Sequence, residues 1–402
     1  MIDVEIEKLV YGGQGLARLD GRTALIPYVL PGEKLSAEIV RERGTLAHAR
    51  PVTWQQESND RVAPACPVFT ECGGCHYQHI PYQEQVKFKE SILRETLARI
   101  GKIEWTGEIQ ALTGEPWGYR NRTQLQVRKS GRESETGFLA AGSHALVSTT
   151  GCPVNSPKLN EIQAIVTQMA SERRFPGFLN EVEFFTNETE VQLNVRRSGK
   201  PIAKKFFDWC KEQIPGLAPG EYIDYASGGD TFRVGSRSFF QVNRFLTEAL
   251  AEAATSGAAG ERALDLYAGV GLLTLPTSRQ FGHVTGVDSS GAAVRSLQFN
   301  AERAGTTVRS AHLNVDKFLA GHDEPVDFVV ADPPRAGLGK PVTDELLRIK
   351  PAEISLVSCD PATLARDLKE LTAGGYQIGS MTLVDLFPQT FHVETVVRLQ
   401  LG

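Results

Sequence analysis

The stretch Ala263-Leu-Asp-Leu-Tyr267-Ala-Gly269-Val-Gly271 decides the fold of this chain. Its first half is an apolar run of strand character, and its second half is a glycine turn that leads into a helical pattern. Glycine at 269 and 271 lets the backbone turn tightly and lie close to a ligand. Further strand patterns fall at 283–288, 326–332, 353–359 and 392–400, with helical patterns at 291–304 and 361–373 between them. That rhythm predicts an α/β domain over 226–402, Rossmann-like, with a doubly wound parallel sheet. Ligands of such sheets bind at the carboxyl ends of the strands.

The next strand closes on Val284-Thr-Gly-Val-Asp288, where an acid can accept hydrogen bonds from both ribose hydroxyls of an adenosine. A dinucleotide and S-adenosylmethionine both suit this pattern. The third glycine of a dinucleotide fingerprint is replaced by Thr274. The methyl donor has no pyrophosphate to seat on the helix N-terminus and tolerates that loss, so S-adenosylmethionine is the better fit. A later strand ends at Asp332-Pro-Pro-Arg335 on the same edge. An Asp capping a turn, with prolines that stop the strand, is the plain alternative. Methyltransferases acting on adenine amines place an aromatic residue after Asp-Pro-Pro, and Arg335 disfavours that chemistry.

Leu356-Val-Ser-Cys359-Asp360-Pro361 puts a cysteine at a strand end, directly before a helix capped by Asp360 with proline at its first position. The helix N-terminus favours thiolate, whereas the Asp360 charge opposes it, so the direction of the thiol pKa stays open. A packed, inert cysteine is equally compatible with the position. Pyrimidine chemistry supplies a use for a thiolate: addition at carbon 6 makes carbon 5 nucleophilic, and a base must then remove the carbon-5 proton.

Asp332-Pro-Pro-Arg-Ala-Gly, Ser358-Cys-Asp-Pro-Ala-Thr-Leu-Ala-Arg-Asp and Phe391-His-Val-Glu394-Thr-Val occur in that order. Together they resemble the RNA uracil-carbon-5 methyltransferase family, and the resemblance covers essentially the whole chain. It implies Cys359 as nucleophile and Glu394 as the proton-abstracting base. It also implies that Gln241, Tyr267, Asp288, Asn314 and Asp332 surround S-adenosylmethionine, beside Gly269 and Gly271 of the turn. Some relatives carry Asn where this chain has Leu272, so that contact is not carried over. Cytosine-carbon-5 enzymes place a cysteine where Pro334 stands here, which disfavours cytosine.

Residues 1–54 read as short strands broken by glycine turns, the pattern of a small β-barrel. Within them, Gly12-Gly13-x-Gly15-Leu-Ala-Arg18 and Leu30-Pro31-Gly32-Glu33 resemble a TRAM domain, an RNA-binding barrel. Residues 55–225 read as a mixed α+β middle domain with one helix near 82–100. There, 118–211 hold 14 Lys and Arg against 9 Asp and Glu, in a chain of net charge −5. The basic clusters are Arg120/Arg122, Arg128/Lys129/Arg132, Arg173/Arg174, Arg196/Arg197/Lys200 and Lys204/Lys205. A solvated basic face and contact with RNA phosphates both fit them.

Cys66, Cys72 and Cys75, with a distant Cys152, offer four thiolates, a set that suits zinc or an iron–sulfur cluster. The family resemblance implies a 4Fe-4S cluster of structural role, with zinc as the alternative. Cys210, beside Trp209, reads as a packed thiol.

At 402 residues the chain is too long for one core, and its 41% hydrophobic and 23% charged content is ordinary for a globular protein. The N-terminus lacks the basic and apolar segments of a signal peptide, and no run of about 18 apolar residues occurs. A cytoplasmic monomer without membrane contact or obligate protein partner is expected. The implied substrate is a uridine in structured RNA: 23S ribosomal RNA, or alternatively the T-loop of transfer RNA. A non-catalytic RNA-binding protein with a vestigial methyltransferase fold is the reading from another class, and the retained Cys359, Glu394 and Asp332 oppose it.

Overall fold

Alternation of inward and outward side chains organises the N-terminal segment. The computed structural model describes residues 1–402 apart from Asp20, Gly131 and Arg132, so Arg132 of the basic clusters lies outside the described residues. In spatial order, Ile2–Glu5, Lys34–Arg43, Leu46–Gln56, Arg22–Pro27, Gln14–Leu19 and Lys8–Val10 form a six-stranded sheet. Val4, Ile6, Ala17, Ala24, Ile26 and Leu35 meet inside it. Gly15 is obligatory, since a Cβ there would lie 2.4 Å from Val29 and 2.8 Å from Ile6. Glu33 is fully buried and answered by Arg61 Nη2 at 2.7 Å and Trp54 Nε1 at 3.1 Å. Without those donors a buried carboxylate would be strongly destabilising.

The segment 55–225 divides in space. Its later part builds an antiparallel five-stranded sheet ordered Leu146–Ser148, Glu133–Leu139, Arg122–Ser130, Leu179–Thr186 and Val191–Ser198. The helices Pro157–Ser171 and Lys204–Gln213 share a core with it. Ser156 caps the first of these through Leu159 N–H, and Pro157 follows at the first helical position. Cys210 is buried in this core as expected, and burial pushes its thiol up to about 12.

The earlier part, 82–112, packs elsewhere. The helix Tyr82–Thr96 places Val86 and Leu93 in one core with Leu264, Leu356 and Leu383 of the C-terminal sheet and Leu364 of the helix Pro361–Ala373. The strand Gln110–Leu112 pairs in parallel with Tyr376–Val384. Lys89, fully buried, donates to Asp385 Oδ1 at 2.5 Å and to the Phe387 carbonyl at 2.9 Å. The sequence predicts a helix near 82–100, and the tertiary structure shows what it packs against.

The C-terminal sheet has eight strands, ordered Val308–His312, Phe281–Asp288, Gly260–Leu266, Phe328–Ala331, Glu353–Ser358, Glu394–Leu401, Tyr376–Val384 and Gln110–Leu112. The first five are parallel, as the alternation of strands and helices predicts. The expectation of a wholly parallel sheet fails at the far edge: Glu394–Leu401 runs antiparallel to both neighbours, and Tyr376–Val384 was not foreseen. The connection 385–393 is too short for a crossover helix, so the chain must return antiparallel. Among the described residues, no helix is long and apolar enough to cross a membrane.

Candidate active site

That reversed strand assembles the site. Leu266, Ala331 and Leu356 lie in register on adjacent parallel strands, so Tyr267, Asp332 and Cys359 all emerge at one edge. An antiparallel strand begins where its parallel neighbours end. Thr395 pairs with Ser358, which brings Glu394 in beside Cys359 from the other direction. Glu394 is 5% exposed. Gln241 arrives from the segment preceding 247–255, held by Asn121, whose N–H bonds the Val242 carbonyl and whose Nδ2 bonds the Gln241 carbonyl. Its own Nε2 donates to Asp332 Oδ2 at 3.3 Å. Gln241, Asp332, Cys359 and Glu394 therefore share one cleft.

The electrostatics settle what the sequence left open at Cys359. Burial, then the charges of Glu394, Asp332 and Asp360, push its thiol up to about 12. The helix Pro361–Ala373 does not reverse this, because Asp360 Oδ1 already accepts from Ala362 N–H at 2.9 Å and Thr363 N–H at 3.2 Å. Its first donors are satisfied and its partial positive charge is offset. Burial pushes Asp332 up to about 6. Glu394 is raised well above the carboxylate range by burial and by the Asp332 charge. The site rests with its thiol protonated among carboxyl groups.

Beside it lies the glycine turn that follows the strand Gly260–Leu266. Tyr267, Gly269 and Gly271 have φ of 67°, 55° and 101°, which lift the backbone away from the sheet edge. A Cβ on Gly271 would meet Leu297 at 2.7 Å, so the turn packs tightly on one side, while the space at Gly269 is open. Asp288 accepts from Gly269 N–H at 2.9 Å and Ser290 N–H at 2.7 Å, which aims its half-exposed carboxylate along the turn. Asn314 is exposed one residue beyond Leu313, whose N–H bonds the Asp288 carbonyl. Its side chain makes no cap bond to the helix Val315–Ala320. Thr274, the residue that breaks the dinucleotide fingerprint, donates to the buried Asp265 at 2.5 Å. Burial pushes Asp265 up to about 8, and its Oδ1 has no partner.

A second constellation lies in the middle domain. Cys66, Cys72, Cys75 and Cys152 are free thiols lining one cavity of about 800 Å³ with Arg120. Cys72 bridges Ala140, Gln78 Oε1 accepts from Cys66 N–H, and Asn160 Oδ1 accepts from Cys152 N–H. Burial raises Cys72, Cys75 and Cys152, whereas the Arg120 charge pulls all three back down. Among the described residues, no three His, Cys, Asp or Glu side chains group tightly enough to hold a single metal ion. The donor set is four thiols around an open volume.

Arg120 and Arg122 are not free for RNA phosphates, contrary to the reading of the basic clusters. Arg122 pairs with Glu183 at 3.2 Å, stacks over Phe185 at 4.3 Å and donates to the Ser238 carbonyl. Arg120 Nε is buried without a partner. A charge count cannot register burial. Arg128, Arg173, Arg174, Arg196, Arg197, Lys200, Lys204 and Lys205 are exposed. Two residues near the site escaped the sequence reading. Phe239 is 67% exposed, two positions before Gln241, and Tyr11 of the N-terminal sheet reaches Asp360 at 3.2 Å. For Phe239 an available signal was a second aromatic beside Phe240; for Tyr11 there was none.

Three family models match the chain: TRAM domain over 1–52, methyltransferase small domain over 241–350, and tRNA (uracil-5-)-methyltransferase over 319–401. RNA methyltransferases of Halalkalibacterium halodurans and Aquifex aeolicus are 31% and 32% identical to it, across 100% and 99% of this chain and 97% and 98% of their own. The crystal structure of Pyrococcus abyssi tRNA (uracil-54, C5)-methyltransferase with S-adenosyl-L-homocysteine superposes with a TM-score of 0.75 at 26% identity, covering 99% of this chain and all of that one.

Proposed function

The chain belongs to the RNA (uracil-5-)-methyltransferase family, and from that premise we propose that it methylates carbon 5 of one uridine in structured RNA through Cys359 and Glu394. The observation that carries this reading is the reversed strand, which sets Glu394 opposite the end of the Cys359 strand and beside Asp332.

Half-buried Cys359 loses its thiol proton to solvent, and the thiolate bonds carbon 6 of the uracil, which makes carbon 5 nucleophilic. Gly269, Gly271, Tyr267, Asp288 and Asn314 hold the adenosyl end of S-adenosylmethionine, with Gln241 and Asp332 nearest the cleft. When bound, this donor supplies an electrophilic methyl group and a positive charge that draws Cys359 and Glu394 toward their ionised forms. Glu394, as carboxylate, takes the carbon-5 proton, the sulfur–carbon bond breaks, and the ring double bond returns. The burial of Glu394 keeps bulk water from competing for that proton.

Cys66, Cys72, Cys75 and Cys152 line one cavity, and four thiolates suit a 4Fe-4S cluster, with zinc as the alternative. The cluster would tie the loop 66–75 to Cys152 and has no part in the transfer. Iron and sulfide near four each per chain are expected in anaerobically purified protein; stoichiometric zinc without sulfide would overturn this assignment.

The barrel, the cysteine cavity and the exposed arginines favour 23S ribosomal RNA as substrate. The likeness to the archaeal enzyme supports the T-loop of transfer RNA as a second reading. RNA labelled with tritium at carbon 5 tests the reaction: tritium release with equimolar S-adenosylhomocysteine is expected, and methyl transfer without tritium release sinks it. Mapping 5-methyluridine in cells lacking the gene separates the two RNAs.

A further inference from the structure

We infer that the N-terminal barrel is a working part of the active site, with Tyr11 as a positioning residue that locks together the three segments carrying Asp332, Cys359 and Glu394. The inference rests on the roles proposed above for Cys359 and Glu394.

Tyr11 follows the strand Lys8–Val10 and leaves the barrel toward the catalytic sheet. Its hydroxyl donates to Asp360 Oδ2 at 3.2 Å, with the Cys359 carbonyl at 3.5 Å. It accepts from Arg335 Nη2 at 3.5 Å, three residues beyond Asp332. Arg335 Nε and Asp360 Oδ2 stand at 3.4 Å, so the hydroxyl completes a triangle between the loop after Asp332 and the turn after Cys359. The ring packs edge-on against Phe391 at 5.4 Å, three residues before Glu394. One side chain from the barrel thus touches all three segments.

The docking around it is close. Gly13 has φ of +78°, and a Cβ there would stand 3.0 Å from His76 and 3.2 Å from Phe391. The barrel backbone therefore lies directly on the ring that precedes the base. Lys8 pairs with Glu95 at 2.7 Å, and Leu9 and Leu30 share an apolar cluster with Tyr77, Ile80 and Ile92. Lys8, Leu9 and Leu30 thus anchor the barrel to the helix Tyr82–Thr96 and the segment before it, while Tyr11 and Gly13 meet the catalytic loops. Misplacing a reacting group by about 1 Å can cost on the order of 100-fold in rate, so a clamp on all three segments acts on turnover rather than on affinity.

Tyr11→Phe in the full chain keeps the ring and removes the hydroxyl. About tenfold lower kcat is expected, with the directly measured Kd for RNA within about twofold of the parent. In the Glu394→Gln background the same change should slow formation of the protein–RNA adduct by a similar factor. Gly13→Ala, which presses on Phe391 and leaves the hydroxyl in place, should show the same split between kcat and Kd. Unchanged kcat and adduct rate in Tyr11→Phe overturn the inference, as does a loss confined to RNA affinity. Cys359→Ser in parallel separates the two levels: if it turns over like the parent, the assignment of the nucleophile falls and this inference with it. If it is inactive while Tyr11→Phe matches the parent, only the inference falls.

Discussion

The sheet edge at Cys359 and the cavity of the middle domain both hold partly buried thiols, and different charged groups stand beside each. Around Cys359 stand Glu394, Asp332 and Asp360, and each carboxylate adds to the effect of burial in holding the proton on sulfur. Around Cys72, Cys75 and Cys152 stands Arg120, which opposes burial, while the neighbouring cysteines add to it, and all three thiols stay raised. Acidic surroundings suit a thiol that must attack once, with proton acceptors at hand, and then leave. Burial is the largest cause at both places and raises Cys75 to about 12 as it does Cys359, so the difference lies in the lesser contribution of the charged neighbours.

The largest effect should come from Cys359→Ala, which removes the only thiol in the carboxylate cleft. Turnover should fall by at least about 10⁴-fold, with RNA affinity retained. Appreciable residual methylation, measured by carbon-5 tritium release, would break the comparison at its first term. Glu394→Gln should cost about 10² to 10⁴-fold and stall after methyl transfer. A protein–RNA adduct carrying label from the methyl donor should then survive denaturing electrophoresis, and disappear when Cys359 is also removed.

A pH profile tests the electrostatic half of the contrast. Because the Cys359 pKa is raised to about 12, its thiolate fraction grows with pH throughout the accessible range. Alkylation by iodoacetamide, followed by mass spectrometry without methyl donor, should climb about tenfold per pH unit to beyond pH 10. A plateau near pH 8.5 would show that neither burial nor the carboxylates hold the proton on this thiol. Asp360→Asn keeps a capping side chain, removes one charge and should speed alkylation several-fold at fixed pH.

Cys72→Ser should do the opposite of Cys359→Ala. Folded yield and Tm fall as metal content is lost, while kcat per folded molecule stays within about threefold of the parent. Abolished turnover at normal stability would give the cavity a part in the chemistry. The smallest effect is expected at Arg128 and Arg197, exposed side chains that line a shared groove of about 250 Å³. Replacing both with Ala should raise KM for RNA several-fold at unchanged kcat and reduce the salt dependence of binding by about one unit per charge. Arg122→Ala, by contrast, should lower stability, since it leaves Glu183 buried without its closest cationic partner.

Much of the catalytic half was legible residue by residue. The glycine turn after Gly260–Leu266, the acid closing Phe281–Asp288 and the proline-started helix Pro361–Ala373 are local signals, each set by backbone geometry within a few residues. Glu394 had no such signal. A carboxylate at the start of a strand looks exposed until the strand reverses, and only the resemblance to a family singled it out. Arg120 and Arg122 misled for the reciprocal reason: they count as surface charge, but the fold turns one toward the cysteine cavity and pairs the other with Glu183.

From its amino acids alone this chain declares a doubly wound sheet, a glycine-lined cofactor turn, a cysteine at a helix start and four further cysteines of ligand type, because propensity, capping and turn chemistry act over short distances. Three things waited for the tertiary structure. It reversed the strand that brings Glu394 to Cys359, it surrounded that thiol with carboxylates that raise its pKa, and it laid Tyr11 of the barrel on the catalytic loops. Each depends on which residues distant in sequence become neighbours in space, and electrostatic and packing energies are functions of that distance, not of separation along the chain.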